Sequence, residues 1–174
     1  MNLIGTMRAL DGTKGAVRVE DLYDTDIDDL WAACTTPERL ARWIARVSGD
    51  LRVGGTVEVV FTSTWSGRAR IDACDAPHHL LLTSEPGTDD ESQTEVWLLA
   101  EGGRTRLVVE ERGLPVDGLH FYGAGWQAHL EDLGRSLAGG GPVHLDGWSS
   151  AEAAPRWKAR WEELTTAYEV LPAR

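Results

Sequence analysis

The chain has 174 residues, 42% of them hydrophobic, with 28 acidic side chains against 17 basic ones and a formal net charge of −11. That length and apolar content suit one domain with an ordinary core plus a tail. The acid excess argues against nucleic acid and anionic membrane as partners, since phosphate binding needs clustered cations, and the spread of the acids points to solubility.

Residues 1 to 14 show no period and are assigned no structure, as a flexible N-terminal segment. They lack a basic region ahead of an apolar run, and no stretch reaches the ~20 apolar residues of a membrane span, so a cytoplasmic protein with no membrane contact is expected. Ala16 to Tyr23 sets Val17 and Val19 against Arg18 and Glu20, which predicts the first strand. Thr25-Asp26-Ile27-Asp28 then reads as a capped helix start, with Ile27, Leu30, Trp31 and Cys34 as the apolar stripe. A second short helix is expected from Thr36-Pro37, carrying Leu40, Trp43 and Ile44. Cys34 and Cys74 have no metal spacing and read as buried free thiols.

From Leu51 the period changes to two. Val53-Gly54-Gly55 is a turn, and Thr56 to Thr62, Trp65 to Cys74 with a bulge or bend at Gly67, and Leu80 to Ser84 follow as strands. Glu85 to Glu91 is a solvated hairpin loop, and Gln93 to Ala100 and Thr105 to Arg112 flank a hairpin connection. Leu107, Val109 and Glu111 share one face of the last strand, so Glu111 is an acid in an apolar row. It is either a hydrogen-bonding anchor or an acid–base group with a raised pKa if buried, or a solvated or arginine-paired strand end.

Gly123 to Ala138 is the clearest helix, with Trp126, Leu130, Leu133 and Leu137 as its stripe, stopped by Gly139-Gly140-Gly141-Pro142. Gly123-Ala124-Gly125 is too short for a phosphate cradle and reads as a close approach of this helix to the sheet. His129 borders the stripe, and His120 precedes Phe121-Tyr122. His78 and His79 read as exposed at a turn, and His144 lies in the loop after the helix. Trp157, Trp161, Leu164 and Tyr168 predict a further amphipathic helix from about Pro155. It is expected to cap the outer sheet face at Trp97 and Leu99, the alternative being a homodimer contact.

The order of elements, together with Leu30-Trp31-Ala32-Ala33-Cys34-Thr35-Thr36-Pro37-Glu38, Trp43, Asp50-Leu51-Arg52-Val53-Gly54-Gly55, Asp75-Ala76-Pro77-His78-His79-Leu80, Thr105-Arg106-Leu107 and Gly125-Trp126 with Leu130 and Leu133, resembles the activator of Hsp90 ATPase homologue (AHSA1-like) family of the START-like, or SRPBCC, superfamily. The resemblance covers about residues 16 to 138. It implies an α+β helix-grip fold, a curved antiparallel sheet of six or seven strands around the long C-terminal helix, with a deep cavity for an apolar small-molecule ligand between them. Residues 15 to 140 would form that domain and 141 to 174 an extension. Two departures stand out: Glu111-Arg112-Gly113-Leu114 replaces the family's His before Ser-Gly-Phe, and only Pro77 remains of its paired prolines.

The side chains expected to meet the ligand are Trp43, Phe61, Trp65, Ile71, Leu82, Val96, Leu98, Val109, Glu111, His120, Trp126, His129 and Leu130. Tryptophan supplies flat area for an aromatic or polycyclic ligand, and Trp31 also bounds the expected cavity. No catalytic, cofactor or metal motif is present, so no cofactor and no metal site are expected. Binding of an apolar molecule is therefore the leading expectation. A cyclase- or hydrolase-type enzyme acting on a polyketide-like compound, with Glu111, His120 or His129 as acid or base, is the second; an Hsp90-type chaperone-interacting module is the third.

Overall fold

Strands account for most of residues 5 to 115, and in a computed structural model, which describes all 174 residues, they form one antiparallel sheet. The strands are β1 (Gly5–Ala9), β2 (Lys14–Tyr23), β3 (Ala45–Gly49), β4 (Thr56–Phe61), β5 (Ser66–Asp75), β6 (His79–Ser84), β7 (Ser92–Glu101) and β8 (Arg104–Pro115). Their order is β1-β2-β8-β7-β6-β5-β4-β3. The helices are α1 (Ile27–Thr35), α2 (Pro37–Leu40), α3 (Leu119–Gly139) and α4 (Pro155–Glu169). The long α3 lies across the sheet, which is the helix-grip arrangement.

Eight strands replace the expected six or seven. Gly5–Ala9, left without structure in the sequence reading, pairs with β2 from Gly5↔Val19 to Ala9↔Gly15. Only Met7 of this strand is buried, so it carries too little alternation to be legible. The second helix is also shorter than expected. It ends at Leu40, Trp43 and Ile44 follow in a turn, and β3 starts at once. The bulge falls between Ile71 and Ala73 rather than at Gly67.

Local chemistry sets the helix ends. Asp26 caps α1 by accepting from the Asp29 backbone N–H at 2.9 Å, and Pro37 occupies the first turn of α2. Gly140, at φ 68°, provides the left-handed residue that ends α3.

Two apolar clusters form. The larger joins the C-terminal half of α3 (Leu130, Leu133) to α1 (Leu30, Ala33) and the inner sheet face (Val19, Leu98, Leu107, Val109), with Trp43 donating to the Ala33 carbonyl at 3.0 Å. The smaller is made by α4. Contrary to the expected cap on the outer sheet face, Trp157, Leu164 and Tyr168 are buried against α3 and β1. Two glycines make room for this packing: a Cβ at Gly123 would stand 2.8 Å from the Tyr168 ring, and one at Gly5 2.5 Å from its hydroxyl. The close approach read from Gly123 is therefore helix to helix. Tyr168 also donates to Gln127 Oε1 at 2.7 Å, while Arg160 makes a two-pronged pair with Glu131 at 2.7 and 2.9 Å. Trp97 instead packs with His79 and under Arg18, and Leu99 is exposed. Cys74 is exposed, correcting the expectation of two buried thiols, whereas burial pushes the Cys34 thiol up to about 12.

Candidate functional site

The interior between α3 and the sheet is filled at one end and open at the other. The open end is a groove of about 1170 Å³ bounded by the β4–β5 turn, the adjoining ends of β7 and β8, the N-terminal half of α3, and residues 151 to 161. Five of the expected residues meet there: Phe61, Trp65, Glu111, Trp126 and His129.

The other eight do not line it. Trp43, Ile71, Leu98, Val109 and Leu130 are buried in the larger cluster, and Leu82 and Val96 pack against that cluster. They face inward as the alternation requires, but side chains from α1 and α3 fill the space across from them. His120 lies outside the groove with its ring 4.0 Å from that of Phe121.

Glu111 is the charged group at the floor. Ser92 Oγ donates to one oxygen at 2.9 Å and Trp126 Nε1 to the other at 2.7 Å. Burial pushes its carboxyl above the usual carboxylate range, against the pull of these two hydrogen bonds. The Tyr122 phenol is raised as well, mainly by burial and then by the Glu111 and Asp90 charges.

His129 is 5% exposed, and burial, with a contribution from nearby His144, pushes its pKa down to about 3. The neutral ring makes a 3.4 Å contact with Thr62 Oγ1 through Nδ1 and stacks on Trp157 at 5.1 Å, and Trp157 stacks on Trp161 at 5.8 Å. No carboxylate bonds to it, so it lacks the orienting partner of a catalytic base.

The wall formed by Trp157 and Trp161 escaped the sequence reading. Their spacing announced a buried stripe without saying which surface buries it. Residues 141 to 154, which lead into this wall, are pinned at several points. His144 Nε2 comes within 2.9 Å of Asp132 Oδ2, both side chains almost fully buried, as a close polar contact without hydrogen-bond alignment. Val143 donates to Arg42 O and Ala154 to Thr62 O, both at 2.8 Å. The Arg46 guanidinium sits 4.4 Å from the Trp148 ring centroid. No group of three His, Cys, Asp or Glu side chains is gathered to hold a metal, and no helix is long and apolar enough to cross a membrane.

Against known proteins, residues 24–138 match the family described as Activator of Hsp90 ATPase homolog 1-like protein. The chain belongs to that family. The activator-homologue match includes α1 through nearly all of α3 and stops before α4, so one wall of the groove lies outside it. CalU16 from Micromonospora echinospora is 26% identical, with a TM-score of 0.70 over 96% of this chain and 94% of that one. DynU16, described as a putative protein in the dynemicin biosynthetic locus, is also 26% identical, with a TM-score of 0.66. The match takes in 72% of this chain and only 48% of DynU16. The protein encoded by gene BPP1335 of Bordetella parapertussis, at 24% identity and a TM-score of 0.68 over 91% of this chain and 87% of its own, shares the fold. No curated protein matches the sequence.

Proposed function

We propose that this activator-homologue-like protein binds a small, largely apolar molecule in the groove, its aromatic part held between indole faces and its polar part directed at Glu111 and Ser92. The observation that carries the reading is the convergence of four of the eight tryptophans, Trp65, Trp126, Trp157 and Trp161, on one opening of about 1170 Å³. Trp65 is 38% exposed, although burying large aromatic surface is favourable by about 25 cal/mol per Å². A flat ligand would cover that surface and gain stacking as well. The association of DynU16 with a biosynthetic locus fits a small organic ligand.

Native mass spectrometry on protein purified from the cells that make it tests the reading. A bound organic species in one-to-one ratio is expected. Ser66→Trp, which fills the mouth from an exposed position, is expected to lose it. Equal retention by Ser66→Trp, or no bound species in either protein, would overturn the reading.

A further inference from the structure

Glu110 and Glu111 are consecutive residues of β8 on opposite faces of the sheet, and their surroundings differ in kind. Glu110, on the outer face, has Arg8 at 2.9 Å, Arg112 at 3.1 Å and Arg18 at 4.0 Å. Glu95, Glu131 and Asp132, also withdrawn from solvent, each have a cation within 4 Å. Glu111 has none; its only partners are the neutral Ser92 hydroxyl and Trp126 indole N–H. A carboxylate taken out of water without a cation is poorly compensated by two neutral donors.

From this contrast, and resting on the reading of the groove as a binding site, we infer that its ligand carries a protonated amine, seated against the Glu111 carboxylate with the aromatic walls around it. Three further features favour a cation. Trp126, bonded to the carboxylate, and Trp65 and Phe61, in edge contact at 5.4 Å in the same groove, offer aromatic rings, and ring faces attract ammonium groups. The lining holds four carboxylates, Glu85, Asp90, Glu111 and Glu152, against two lysines, and the Lys14 ammonium is engaged with the Asp89 carbonyl at 3.3 Å. His129, held neutral by burial, adds no positive charge. The chain's net charge of −11 further draws cations toward the opening.

Calorimetric titration at neutral pH and low salt with three probes of one shape tests this: 2-naphthylmethylamine as the cation, 2-naphthylmethanol as the neutral donor and 2-naphthoate as the anion. The amine is expected to bind about tenfold or more tighter than the alcohol, through a charge-assisted contact. Glu111→Gln is expected to abolish that advantage by weakening the amine far more than the alcohol, with an unchanged near-ultraviolet circular dichroism spectrum showing the fold intact; Glu152→Gln, the same charge change at the rim, shifts amine affinity by under about threefold. Equal binding of amine and alcohol, tighter binding of the naphthoate, or an amine advantage that survives Glu111→Gln would overturn the inference and leave the groove reading standing. Failure of all three probes would remove both.

Discussion

The two ends of the α3–sheet interior both present large apolar side chains, aliphatic at one end and aromatic at the other, and finish in opposite conditions. At the packed end Leu30, Leu98, Leu107, Leu130 and Leu133 are at most 2% exposed, each opposed by a side chain from another element. At the open end Trp65, Tyr122 and Phe121 are 38%, 38% and 46% exposed around a carboxylate that no cation neutralises. The difference comes from what lies opposite. The α1 helix covers the packed end, whereas only the strapped tail and the first turns of α4 approach the open one. Stability is therefore concentrated where the interior is closed, and the proposed recognition falls where it is not.

Four substitutions or conditions test that division. Leu130→Ala removes a fully buried side chain from the packed end and is expected to cost roughly 3–4 kcal/mol in urea denaturation, with binding of 2-naphthylmethanol unchanged. A parallel loss of affinity would break the comparison by making the two ends one unit.

His129 stands at the boundary. Its folded pKa of about 3 lies below the ordinary 6.5, so it contributes stability that is fully present above pH 6.5 and is lost as the pH falls toward 3. Between about pH 7.5 and about pH 4.5 the loss is roughly 2–3 kcal/mol. His129→Gln is expected to remove that part of the pH slope, so the variant is less stable than the parent near neutral pH and the gap narrows as the pH falls. An unchanged slope would show that the imidazole is not buried as described.

Gly123→Ala sets a methyl group against Tyr168 and is expected to cost roughly 2 kcal/mol and to weaken naphthylmethanol binding, because it loosens the α4 wall without touching either end directly. Loss of stability with full binding would mean that α4 is not part of the site. Trp65→Ala is expected to cost under about 1 kcal/mol, since the ring is already partly in water, yet to weaken binding by about tenfold. The reverse pattern would place Trp65 among the structural tryptophans.

The comparison also explains what could be read from the chain. Alternation in β4, β7 and β8 and the stripe of α3 located the inward faces, so Phe61, Glu111, Trp126 and His129 were identifiable before any coordinates. The same pattern could not separate Phe61, which faces a void, from Leu98, which faces Leu residues of the larger cluster. Periodicity reports which way a side chain points, and cavity or core is decided by a partner remote in sequence. Trp157 and Trp161 show the same limit. Their helix was legible, but its docking on α3 depends on Gly123 and Gly5 giving way to Tyr168, a complementarity between residues more than forty positions apart.

The row of rings from Phe121, tilted against Trp161, through Trp157 to His129, with successive centroids 5.9, 5.8 and 5.1 Å apart, has an optical consequence. Chromophores this close share their excited states, so the near-ultraviolet circular dichroism and emission colour of the protein report the spacing between α3 and α4. A guest wedged at the end of that column would alter both signals, giving the molecule an intrinsic gauge of occupancy that needs no dye.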